Sequence, residues 1–197
     1  MQMHTLREEM AELLPQMIEL RHRIHQHPEL AFEEHAASER AAERLAAWGY
    51  EVHRGLAGTG VVGRLHHGSG HKSLGLRADM DAQPIVEATG LPYASRHHGR
   101  MLACGHDGHT ATLLAAAHLA RTRRFNGTLH LIFQPAEEDG GGARRMVEDG
   151  LCDRFPCDAV FGQEGCPVLV KTSAETAFAA HVGSLLTERF LSTENRA

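Results

Sequence analysis

Apolar residues Leu6, Met10, Leu13, Met17, Ile18 and Ile24 recur at helical spacing through residues 5–26. Pro15 interrupts that run, so a kink or a break is predicted there. His27-Pro28-Glu29-Leu30 stops the pattern, and an Ala-rich helix follows from about Glu33 to Trp48, closed by Gly49. The period then shortens. Tyr50–His53, Val61–Leu65 and Ser73–Arg77 read as short strands between Gly-rich turns. Gly108–Arg123 is a strong helix with Leu113, Leu114, Ala117, Leu119 and Ala120 on its apolar side. After an Asn126-Gly127 turn, Thr128–Gln134 alternates and then runs apolar, as a buried strand does. A short helix over Gly140–Asp149 and a strand over Asp158–Phe161 complete the pattern. Helices alternating with strands predict an α/β fold in three layers, a sheet flanked by helices on both faces. No internal repeat or low-complexity linker is present.

Composition narrows the function classes. A length of 197 residues fits one domain, and 42% apolar content suffices for a core. The net charge of −5 and scattered basic residues argue against nucleic acid as a partner. Arg121-Thr122-Arg123-Arg124 is a short cluster near a helix end, where cations complement the dipole. Four cysteines (Cys104, Cys152, Cys157 and Cys166) form no CxxC pair. No stretch from Met1 resembles a signal peptide and no apolar run is long enough to span a bilayer, so the expectation is a cytoplasmic chain with reduced thiols and no membrane partner. Sixteen histidines are many, but a high count alone is weak support for metal binding.

Three polar clusters fall at strand ends or a helix start, where α/β sheets gather their chemistry. Arg77-Ala78-Asp79-Met80-Asp81 follows one strand, Cys104-Gly105-His106-Asp107-Gly108-His109 precedes the long helix, and Gln134-Pro135-Ala136-Glu137-Glu138 follows another strand. Thiolate, imidazole and carboxylate together suit a divalent metal. Cys104 and His106 can reach one ion if the backbone turns at Gly105. Glu137 and Glu138 are neighbours whose side chains are expected to point in different directions, one to a metal and the other to water as a general base. Asp79 and Asp81 point to one side if extended, and either could hold or orient a ligand. His109 reads as a hydrogen-bonded helix residue rather than a ligand.

At these residues the chain resembles the metallo-amidohydrolases that cleave N-acyl amino acids: hippurate hydrolases, N-acetyl-amino-acid deacetylases and auxin-conjugate hydrolases. The resemblance covers residues 15 to about 162 and rests on five motifs. These are Arg21–Leu30, Leu76–Ala82, Ala103–Thr110, Phe133–Glu138 and Asp158–Gly162. It implies a zinc-exopeptidase-like catalytic domain with two divalent metals, Mn, Zn, Co or Ni. Carried over by motif, Cys104, His106 and Glu138 look like metal ligands. Glu137 looks like the base that activates water, and Asp81 like the acid that orients the centre. The implied reaction is hydrolysis of the amide bond of a small N-acyl amino acid by metal-activated water.

The chain departs from that pattern in places. Leu102 stands where the family has His. Gln163-Glu164 follows Gly162 where the family has a hydrophobic residue and a metal-binding His. From Val168 the motifs are lost, and His181 lies in what reads as an ordinary amphipathic helix over Ala174–Arg189. The expectation is therefore an incomplete catalytic domain over residues 1–167 and a divergent tail over 168–197, with a truncation or reading-frame change near Gln163. The family's lid or dimerisation domain, through which a homo-oligomer would form, is not found. Two alternatives stand beside the enzyme: an inactive fragment or pseudoenzyme of that family, and a nucleophilic hydrolase built on Cys104.

Overall fold

A capping box opens the chain's first helix. In this computed structural model, which describes residues 5–162, the Thr5 hydroxyl accepts from the Glu8 N–H while the Glu8 carboxylate accepts from the Thr5 N–H at 2.7 Å. The helix α1 (Leu6–Gln26) runs without a break through Pro15, so the predicted interruption there is limited to the N–H that proline cannot donate. Helix α2 (His35–Ala47) follows. Strands β1 (Glu51–Leu56) and β2 (Gly60–His67) form an antiparallel hairpin, and β3 (Ser73–Asp79) ends in the first acidic cluster. A long irregular segment leads to α3 (His106–Ala120), then β4 (Gly127–Gln134), α4 (Gly142–Glu148), the one-turn α5 (Leu151–Arg154) and β5 (Ala159–Gly162). The sequence pattern did not separate α5 from the turn around it. Residues Gln163, Glu164 and His181, the helix read over 174–189 and the tail from 168 lie outside the described residues.

The five strands form one mixed sheet in the order β1-β2-β4-β3-β5. β2 pairs antiparallel with β1 and β4, whereas β3 lies parallel to β4 and β5. Parallel neighbours need a crossover, and α3 supplies it between β3 and β4.

Alternation along the strands divides the core in two. Val61, Leu76, Ala78, Leu129, Leu131 and Phe133 face α1, α2 and α3. Val62 and Ile132 point the other way, towards Met146 of α4 and Phe155 after α5. The sheet is thus covered on both faces, as the α/β pattern predicts. α3 is buried almost all round, because β3, α1 and α2 pack on it from different sides. Among the described residues no helix is long and apolar enough to cross a membrane, and Cys104, Cys152 and Cys157 are free thiols.

The packing gives a direct test. Leu131 is fully buried on β4, whereas Val160 on the outer strand β5 is 57% exposed. Leu131→Ala should cost about 2–5 kcal/mol, read from the urea midpoint, and Val160→Ala no more than about 0.5 kcal/mol. Equal losses would mean that the core has been misplaced.

Candidate metal centre

Parallel pairing sets the site. Asp79, the last residue of β3, lies opposite Gln134, the last residue of β4. The segments that follow, Met80-Asp81 and Pro135–Glu138, therefore leave the sheet side by side. α3 begins at the same end, because a crossover helix returns antiparallel to the strands it joins. Gly105 makes its entry turn with φ +89°, a left-handed conformation that costs glycine little. Cys104 and His106 flank that turn, as the spacing required.

His106 is the centre of the cluster. It is buried, and its Nδ1 lies 2.8 Å from the main-chain carbonyl of Asp81. An acceptor there holds a proton on Nδ1 and turns Nε2, the nitrogen that can ligate once its own proton is displaced, to the opposite side. Nε2 lies 3.8 Å from Glu137 Oε2 and 3.8 Å from Glu138 Oε1. Ligand-type atoms of Cys104, His106 and Glu138 all lie within 4.8 Å of one another. Asp81 joins the same group through its side chain, accepting the Glu138 N–H on Oδ2 at 3.0 Å. All five residues singled out from the sequence are therefore brought together.

The adjacent glutamates differ from expectation in one respect. They do not point apart, since both carboxylates approach the same imidazole nitrogen. The cause is the backbone. Ala136 sits at φ +50°, which turns the chain sharply after β4. Gly142 closes the turn: its N–H donates to the Ala136 carbonyl at 2.9 Å, and a Cβ there would lie 1.8 Å from the Pro135 oxygen.

A second set of donors, Asp79, His106 and His109, is fully buried and equally close. Its groups are already paired with one another. His109 Nδ1 lies 2.6 Å from Asp79 Oδ1, and Arg77 Nη1 lies 2.9 Å from Asp79 Oδ2. His109 is thus a hydrogen-bonded helix residue, as read from the sequence. Burial alone would raise the Asp79 pKa, but the His109 hydrogen bond and the charges of His106 and Arg77 outweigh it and hold the carboxyl below its usual range.

The same balance runs through the cluster. Burial opposes charge on His106, yet Asp81 and Asp79 overcome it and raise its pKa to about 9. The Cys104 thiol is pushed up to about 11, first by hydrogen bonding to the Glu138 carboxylate, then by burial and the surrounding negative charge. Burial and the neighbouring carboxylates of Asp79 and Glu138 also raise Glu137, with His106 opposing them. Negative charge is in excess at this site. Glu138 Oε1 is buried and has no hydrogen-bond partner among the described residues. An excess of anionic donors with an unsatisfied carboxylate oxygen fits a divalent cation.

Several supporting residues were not identified from sequence. Asp107 is fully buried beside His106, and its Oδ2 lies 3.0 Å from both Arg21 Nε and His25 Nδ1. His25 Nε2 in turn lies 3.3 Å from Glu87, a residue of the long segment before α3. Gln83 of that segment donates to Cys104 Sγ at 3.4 Å. Arg21, His25 and Asp107 lie inside motifs already quoted, but spacing gave no hint that they meet.

The fold and the sequence that carry this cluster have known relatives. Residues 75–183, more than half of the chain, match Peptidase family M20/M25/M40, a span that runs past Val168. The hippurate hydrolase of Campylobacter jejuni is 49% identical over 159 residues, which cover 81% of this chain and 42% of that protein. An N-acetyl-L-cysteine deacetylase of Bacillus subtilis is 43% identical over 170 residues, 83% of this chain and 40% of that protein. Among solved structures, the Bacillus subtilis YXEP protein, a dinuclear metal binding peptidase from the M20 family, aligns with a TM-score of 0.75 at 37% identity. That alignment covers 80% of this chain and 44% of the other. The chain spans about two-fifths of the length of the curated relatives it matches. Motifs, fold and relatives point the same way over most of the described residues, and the chain belongs to Peptidase family M20/M25/M40.

Proposed function

We propose that this chain carries part of the catalytic site of a metal-dependent amidohydrolase acting on small N-acyl amino acids. In this reading Cys104, His106 and Glu138 hold a divalent cation, Glu137 handles the proton, and Asp81 orients the centre. The observation that carries the reading is the orientation of His106. Its Nδ1 is occupied by the Asp81 carbonyl, which leaves Nε2 among Cys104, Glu137 and Glu138. The acyl amino acid is taken from relatives that are a hippurate hydrolase and an N-acetyl-L-cysteine deacetylase.

Bound cations would supply Lewis acidity toward the amide carbonyl and a water of lowered pKa. The chain's own residues supply the rest. Glu137 accepts the proton of the attacking water and returns it to the departing amine nitrogen as the C–N bond breaks. Its raised pKa suits both directions, since a stronger base accepts the proton more readily and the acid form persists nearer to neutrality. Arg77 and His109 keep Asp79 ionised, with its Oδ1 3.6 Å from His106 Nε2, so its charge adds to that of the two glutamates on the face where the cation would sit. The second metal expected for the family would need donors beyond these, because Asp79 and His109 are committed to each other. A second reading, a metal-binding remnant without turnover, draws on that pairing, which leaves one open donor set among the described residues.

Activity separates the two readings. The chain loaded with Mn²⁺ or Zn²⁺ should release glycine from N-benzoylglycine or cysteine from N-acetylcysteine, and a chelator should abolish the release. Glu137→Gln should lower kcat by about 10²–10⁴ while the metal stays bound. Turnover that survives chelation but not thiol alkylation would instead indicate a Cys104 nucleophile. Metal binding without turnover of either substrate would favour the remnant.

Binding should also depend on pH. His106 and Cys104 both have raised pKa values, about 9 and about 11, so each is protonated at neutral pH in the metal-free chain. The cation must displace those protons, and affinity should therefore tighten as pH rises. Each proton released contributes about tenfold per pH unit. Calorimetry with Co²⁺ between about pH 6 and 8, in buffers of different ionisation enthalpy, measures this release. A flat profile would contradict the assignment of these two ligands.

A further inference from the structure

Among the described residues only three that are not glycine take a positive φ: Phe32 at +63°, Ala57 at +51° and Ala136 at +50°. Side chains other than glycine reach this region only where surrounding contacts enforce it. Two of the three share one acceptor. Oε1 of Glu34 accepts the N–H of Phe32 at 3.0 Å and that of Ala136 at 2.8 Å. Its Oε2 accepts the Thr59 hydroxyl at 2.6 Å. Glu34 is fully buried, Ala136 is fully buried, and Thr59 is nearly so. A buried carboxylate is costly to desolvate, and the burial does raise its pKa. Such a group persists where its hydrogen bonds fix something the fold requires.

The partners show what is fixed. Phe32 precedes α2, Thr59 lies in the β1–β2 turn, and Ala136 opens the turn after β4. Ala136 belongs to no helix or strand, and its N–H goes to Glu34. The two residues after it are Glu137 and Glu138. Their convergence on His106 depends on the sharp left-handed turn at Ala136. The Glu138 N–H that reaches Asp81 depends on the same turn.

We propose that Glu34 is a positioning residue of the metal centre: by pinning the left-handed Ala136 turn it delivers the Glu137-Glu138 pair to His106. This rests on the metal-site reading above. It does not require Glu34 to touch metal or substrate. It also predicts which substitutions are tolerated. A glutamine can keep all three contacts, its oxygen accepting both N–H groups and its NH₂ donating to the Thr59 hydroxyl. An aspartate keeps the carboxyl group but is one methylene short and cannot serve all three turns.

Two readouts test the proposal, one of them independent of metal. In the wild-type chain the Ala136 amide should exchange with solvent at least about 100-fold more slowly than an exposed amide. In Glu34→Asp, Ala136 protection should fall at least about tenfold while Leu131 in β4 stays protected. In the same variant the Kd for Co²⁺ should weaken by about 10–100-fold, and Glu34→Gln should keep both readouts within about threefold of wild type. Fast wild-type exchange at Ala136 would overturn the proposal without any variant. So would a Glu34→Asp chain with unchanged exchange and affinity, or one that loses Leu131 protection in parallel. If Glu34→Asp does not fold, the wild-type exchange and Glu34→Gln decide. A wild-type chain that binds no Co²⁺ would sink the metal-site reading instead, and the exchange measurements would still judge Glu34.

Discussion

Asp81 holds the site together with two kinds of oxygen. Its main-chain carbonyl takes the Nδ1 proton of His106, and its side-chain Oδ2 takes the N–H of Glu138. One bond sets the tautomer and direction of the imidazole at the start of α3. The other fixes the backbone of the glutamate pair beyond β4. Neither α3 nor the β4 turn could hold the arrangement alone, because each contributes only part of it. Asp81 can serve both because β3 and β4 end in register, at Asp79 and Gln134. Burial would raise its carboxyl pKa, but the hydrogen bonds from His106 and from the Glu138 and Glu137 amides outweigh that effect and keep it ionised.

Around this link stand further buried acids, each with at least one partner far away in sequence. Asp107 is clamped by Arg21 and His25, Asp79 by Arg77 and His109, and Glu34 by three turns. Uncompensated, such groups would destabilise the domain severely. Paired, they leave few degrees of freedom to the atoms facing His106 Nε2. A site built this way is stiff before any ion arrives, and stiffness is what a hydrolytic centre needs to aim a water and a carbonyl at each other.

The layers of the fold were legible because hydrophobic period carries them. The Ala-rich face of α2, the apolar run of β4 and the buried α3 all stand out in the chain. The candidate site was legible as three clusters at strand ends, and Cys104, His106 and Glu138 do meet. Direction was harder to read. Alternation along an extended chain predicts that Glu137 and Glu138 diverge, and only the left-handed Ala136 brings them together. Support was harder still. Glu34 meets Ala136 from 102 positions away, and Asp107 meets Arg21 from 86 away, so no local pattern could announce either contact. Pro15 shows the limit of local rules: tertiary packing of Leu13, Met17 and Leu20 keeps α1 continuous through it.

The central claim is that Cys104, His106 and Glu138 form one divalent-cation site in this chain. Thiolate coordination has its own optical signature, so the most direct test is a Co²⁺ titration followed in the near ultraviolet. A saturable thiolate-to-cobalt charge-transfer band is predicted, absent in Cys104→Ser and weakened in His106→Ala. A titration with no such band, or with the same band in Cys104→Ser, would contradict the account.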